Sequence, residues 1–148
     1  MTDASGAPRE RPKSPHLMTG GFGSPLLWRW HITMFTSIAH RATGVALYLG
    51  ALMLAGWAVA LATSLGETDH KTYVDYMALL GSPLGKLVLF GLTLSVFYHL
   101  ANGVRHLMWD SGQGLDIKSA NFTAVAAIAF SIAATLAVWG IAAMTGAL

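Results

Sequence analysis

Two short stretches of this chain carry more chemistry than their surroundings require. The first is Ser37-Ile38-Ala39-His40-Arg41-Ala42-Thr43-Gly44, and the second is Phe97-Tyr98-His99-Leu100-Ala101-Asn102-Gly103-Val104-Arg105-His106. On a helix, Ser37 stands one turn from both His40 and Arg41, so the three share a face. They supply a hydroxyl donor, a titratable imidazole and a fixed cation. That set suits an uncharged head group that becomes anionic on reduction and takes up protons. A quinone is such a group. An arginine at a membrane boundary ordinarily snorkels toward water, but anchoring alone does not ask for a serine and a histidine beside it.

In the second stretch, His99 lies about 10 Å of helix before His106. An ionisable side chain inside a membrane span is a functional hypothesis by default. Its imidazole is either a satisfied polar group in a bundle or a metal ligand. Gly103, one turn on, removes side-chain bulk beside His99 and lets a flat macrocycle approach the backbone. Two axial ligands of one iron sit about 4 Å apart, each bond being near 2 Å, so His99 and His106 cannot share one. If His99 binds haem, its opposite ligand comes from elsewhere than His106. His106 then lies at the depth of the charged haem edge, as do His40 and Arg41 on the preceding helix. A guanidinium pairs well with carboxylates, and haem propionates are carboxylates.

The elements that must hold these residues are legible from charge spacing. The chain has 148 residues, 54% of them apolar and only 11% charged, against about 25% charged in soluble domains. Uncharged runs cover 42–66, 87–104 and 119–148. A spanning helix needs about 20 apolar residues. The first and third runs suffice outright, and the second reaches that length with its flanks. The pattern predicts an all-α membrane protein with three transmembrane helices, at about 30–65, 84–109 and 120–146. Residues 1–29 read as a polar tail with Pro8, Pro12, Pro15 and Pro25, and residues 30–148 as the transmembrane domain. Trp28 and Trp30 suit the headgroup level. A loop over 67–83 is expected to contain a short helix near 73–80.

Five of the lysines and arginines (Arg9, Arg11, Lys13, Arg29, Arg41) precede residue 42. Lys71 and Lys86 flank the first loop, Arg105 and Lys118 the second, and none follows. The positive-inside rule puts the N-terminus and the second loop in the cytoplasm, and the C-terminus in the periplasm. Both chemical stretches then face the cytoplasm. The third helix is rich in small residues, including Ala124, Ala127, Ser131, Ala134, Gly140 and Ala143, which let helices pack closely in lipid. The tail has no apolar segment of the signal-peptide kind, and a bacterial plasma membrane is the simplest location. The chain has no cysteine, which excludes disulfides, thiolate metal sites and cysteine-held clusters within it. No motif suggests nucleic acid.

Three segments, RPKSPHL (11–17), SIAHRATGVAL (37–47) and HLANGVRHLMWD (99–110), together resemble the cytochrome b membrane-anchor family of succinate dehydrogenase, respiratory complex II. The resemblance runs from Arg11 into the third helix. It implies one haem b shared with a second small three-helix anchor subunit, whose histidine is the other axial ligand. It also implies an iron–sulfur subunit and a flavoprotein subunit docked on the cytoplasmic face, carrying the clusters and FAD, and ubiquinone as electron acceptor. Residue by residue, Ser37, Ile38, Arg41 and Trp30 fall on quinone-site positions, and His99 on the axial haem ligand. His40, Arg41 and His106 fall on the propionate side, and Asp110 faces the iron–sulfur subunit. Two departures stand out. Ala39 replaces a commonly larger residue, and 20–27 looks like an insertion ahead of Trp30. An anchor working toward fumarate reduction, and a haem-free structural anchor in which His99 is a buried polar group, are the alternatives. A transporter fits poorly, because there is no inverted repeat or broken helix.

Overall fold

A computed structural model describes residues 31–146. Four helices follow in order: α1 (Ile32–Ser64), α2 (Lys71–Gly81), α3 (Pro83–Asp110) and α4 (Ile117–Met144). α1, α3 and α4 are long and apolar enough to cross a membrane. The tail and Trp30 lie outside the described residues.

Local capping sets where the helices begin. Ser82 accepts from the Gly85 amide at 3.1 Å, with Pro83 at the first helical position, which starts α3. Proline suits that place because its missing N–H would have no partner there. Asp116 accepts from the Ser119 amide at 2.9 Å, which starts α4 ahead of residue 120. These hydrogen bonds hold the Asp116 carboxyl below its ordinary pKa. The cap is therefore in place above the usual carboxylate range and is lost as pH falls through the lowered value. The 67–83 loop is more helical than its sequence suggests. His70, in the left-handed region with φ 51°, donates from Nδ1 to the Ser64 carbonyl at 2.8 Å. The Glu67 carboxylate accepts from both the hydroxyl and the amide of Thr72, which lowers its pKa. Together these close α1 and launch α2 at Lys71. α2 then folds back on α1, where the Tyr76 hydroxyl donates to the Met53 carbonyl at 2.6 Å. Gly56 leaves room for that ring, since a Cβ there would come within 3.2 Å of the hydroxyl.

The interior is polar and the exterior aliphatic. The largest fully buried side chains are Asn102, Thr36, Thr135, Ser64 and Ser131. The buried apolar residues are Ala60, Tyr98, Ala124 and Ala127, while Leu49, Leu52, Leu54, Leu100 and Ile132 face outward. This is the arrangement expected where lipid, not water, surrounds the helices. The small-residue stripe of α4 packs inward at Ala124, Ala127 and Ser131, but Gly140 and Ala143 are exposed.

A buried arginine ties the three spanning helices at one end. Arg105, 4% exposed, donates from Nε to the Thr123 hydroxyl at 3.0 Å and from Nη2 to the Ala120 carbonyl at 3.0 Å. Its Nη1 donates to the Thr36 hydroxyl at 3.2 Å and to Asn102 Oδ1 at 3.4 Å. The Tyr98 hydroxyl adds a bond to the Thr36 carbonyl at 3.0 Å. The start of α1, the end of α3 and the start of α4 therefore share one end of the bundle. Thr36→Val keeps the shape and removes an acceptor from a buried cation. It is expected to destabilise the bundle by about 1–2 kcal/mol, read as an earlier thermal midpoint of the assembled complex. Thr63→Val, whose hydroxyl only bonds its own helix, is the control. Equal midpoints for the two variants would sink the idea.

Candidate functional site

The two chemical stretches meet at this same end. The first supplies His40 from α1, and the second supplies His99 and His106 from α3. The His40 and His99 rings stack, with centroids 3.9 Å apart and 17° between planes. The His40 and His106 centroids are 5.2 Å apart at 28°. His99 and His106, two turns apart, thus lie on one face of α3, both touching a single ring from α1.

A hydrogen bond assigns the proton on one of these rings. His106 Nδ1 lies 2.7 Å from the Asn102 carbonyl. A carbonyl only accepts, so Nδ1 carries the proton, and Nε2 has no hydrogen-bond partner among the described residues. His99 Nδ1 lies 3.3 Å from the Thr43 hydroxyl oxygen, and Nε2 has no hydrogen-bond partner among the described residues. Gly44 sits against the same ring, and a Cβ there would come within 3.3 Å of Cε1. His40 Nδ1 is buried without a hydrogen-bond partner among the described residues.

Ser37, Ile38 and Arg41 turn away from this cluster. Ile38 is 51% exposed, and Ser37 and Arg41 are exposed as well. Neither polar side chain makes a hydrogen bond or ion pair among the described residues. The reason is the helical phase. Thr36, His40 and Thr43 contact α3, and about 100° of rotation separates neighbouring residues. Arg41 therefore leaves the interface that His40 enters. Asp110 ends α3 and is exposed.

A haem fits this donor set. Its ring nitrogens fill four iron positions, so the chain need supply only one axial nitrogen, and the unpartnered Nε2 of His99 is one. A Cβ on Gly103 would meet nothing within 4 Å, so α3 is open beside His99. His40 Nδ1 and His106 Nε2, both without a partner among the described residues, are donors or acceptors still in need of a polar group. Among the described residues, no group of three or more His, Asp or Glu is placed to hold a bare metal ion.

Three participants lie within the quoted motifs but have no role at the site from sequence: Thr43, Asn102 and Arg105. Thr43 and Asn102 are ordinary polar residues within apolar helices. Arg105 resembles a flanking cation until its four partners are seen.

Residues 7–138 match the model of the succinate dehydrogenase/fumarate reductase transmembrane subunit family. The chain is 35% identical over 130 residues to the succinate dehydrogenase cytochrome b556 subunit of Rickettsia felis, covering 88% of this chain and 91% of that one. It is 37% identical over 122 residues to the cytochrome b556 subunit of Paracoccus denitrificans, covering 82% and 84%. It is 36% identical over 134 residues to the mitochondrial cytochrome b560 subunit of Bos taurus, covering 90% and 71%.

Proposed function

This chain belongs to the succinate dehydrogenase/fumarate reductase transmembrane subunit family, and from that premise we propose that it binds haem b through His99 and forms part of a ubiquinone-reduction site. It is a succinate dehydrogenase cytochrome b-type membrane anchor, a multi-pass inner-membrane protein that takes part in catalysis only as a member of the complex. The observation that carries the proposal is the meeting of His40, His99 and His106 at one end of the bundle, with Ser37 and Arg41 facing outward beside them.

His99 would hold a haem iron from this chain through Nε2, and a histidine of a second small anchor subunit would share the group. His40, Arg41 and His106 answer the propionates. A haem held there would supply one-electron storage and transfer. Ser37 donates a hydrogen bond to a quinone carbonyl, and Arg41 stabilises the negative charge that grows on oxygen during reduction. Ile38 is assigned to the same site, and Trp30, also assigned to it by sequence resemblance, lies outside the described residues. Both quinone-facing groups point off the chain, so the pocket closes only against partner subunits. The end bearing Arg41, Arg105 and Lys118 faces the cytoplasm, with the C-terminus in the periplasm. There the iron–sulfur subunit docks near Asp110, and beyond it the flavoprotein carries FAD. Electrons from succinate reach quinone by that route.

The test is a reduced-minus-oxidised visible spectrum of the purified complex. A sharp low-spin haem b band is expected. Its absence from a fully loaded preparation would reduce the chain to an anchor and quinone wall.

A further inference from the structure

We propose that Thr43 is a positioning residue for the haem iron: its side-chain oxygen accepts the His99 Nδ1 proton and so fixes the tautomer whose Nε2 binds metal. This rests on His99 being the axial ligand. The argument begins with where the one hydroxyl proton of Thr43 goes. Thr43 Oγ1 lies 2.9 Å from the Ala39 carbonyl and 3.0 Å from the His40 carbonyl. Both are acceptors of its own helix, and both are nearer than His99 Nδ1 at 3.3 Å. The proton is shared between the two carbonyls, which leaves Thr43 Oγ1 an acceptor toward α3. A neutral imidazole carries one proton, so an acceptor opposite Nδ1 places that proton there and the lone pair on Nε2. A metal-bound histidine has the same need, since its second nitrogen bears a proton that requires an acceptor.

The ring is also fixed sterically. Gly44 comes close to Cε1 on the side of α1, and His40 stacks on its face. Consecutive residues of one helix thus set both the tautomer and the approach of a ligand on another helix. The bonds of the Thr43 hydroxyl to the Ala39 and His40 carbonyls hold its rotamer, so its oxygen stays beside His99.

An accepted Nδ1 proton makes the imidazole a stronger electron donor, which favours the ferric over the ferrous state. Thr43→Val keeps volume and branching but accepts nothing. In the purified complex it is expected to raise the haem midpoint potential in a dye-mediated redox titration and to weaken haem retention about 10-fold or more. Thr43→Ser restores both, and Thr43→Ala repeats the loss with less bulk. Potential and haem content unchanged in Thr43→Val and Thr43→Ala would overturn the assignment. His99→Leu is measured in parallel. If it keeps the wild-type spectrum, the ligand reading itself has failed, an outcome distinct from failure of Thr43 alone.

Discussion

His99→Leu is expected to strip the haem b band from the purified complex while leaving the anchor in the membrane. Leucine fills much of the imidazole volume but has no nitrogen, so the iron loses its ligand from this chain. Removing a ligand outright should exceed the 10–100-fold loss typical when only its hydrogen-bond partner is changed. The bundle should survive, because the polar clasp around Arg105 does not include His99. Among the described residues the only side-chain hydrogen bond lost is the long one to Thr43, whose own proton is bonded within α1. Visible spectroscopy and immunodetection of the chain in membranes separate the two effects. A wild-type spectrum in the variant refutes the ligand assignment. Some quinone reduction should persist without haem, because a quinone beside the iron–sulfur subunit can be reduced from the nearest cluster directly.

Arg41→Ala is expected to lower succinate:quinone reductase activity on the order of 100-fold, the loss seen when one preorganised donor to a developing oxyanion is removed. Succinate oxidation by an artificial acceptor at the flavin should persist. The contrast is sharp because Arg41 is exposed and makes no ion pair or hydrogen bond among the described residues, so its removal breaks no polar contact of α1 there. Arg41→Lys keeps the charge but not the planar fork, and intermediate activity is expected. Parallel loss of both activities in Arg41→Ala would assign the residue to assembly instead.

The spanning helices and the pairing of SIAHR with the end of α3 were legible because lipid imposes long uncharged runs and charge marks their ends. The side chains that aim the site were less so. Ser37, His40 and Arg41 occupy an arc of about 100° on a helical wheel, and sequence alone does not say that the edge of a packing interface cuts that arc. The cut sends His40 to α3 and leaves Arg41 outside. Arg105 was misleading in another way. Position in sequence makes it a boundary cation, and no nearby carboxylate advertises a buried role. Its partners are hydroxyls and carbonyls gathered from three helices, which only tertiary structure assembles. Thr43 gave no sign because a threonine within an apolar helix normally bonds its own backbone, as this one also does. Only the proximity of His99 gives its oxygen a second task.

The inverted interior, with Asn102, Thr36 and Thr135 enclosed and leucines outside, changes how this bundle answers to temperature. A water-soluble core owes its curved stability profile to apolar surface that becomes hydrated on unfolding, which gives a large positive heat-capacity change. Here the leucines are already solvated by acyl chains and stay so when the helices part. What separates are hydroxyl, amide and guanidinium contacts, with little apolar area passing into water. Helix separation within the bilayer should therefore carry a small heat-capacity change, and chilling should not loosen this bundle as it loosens a soluble core.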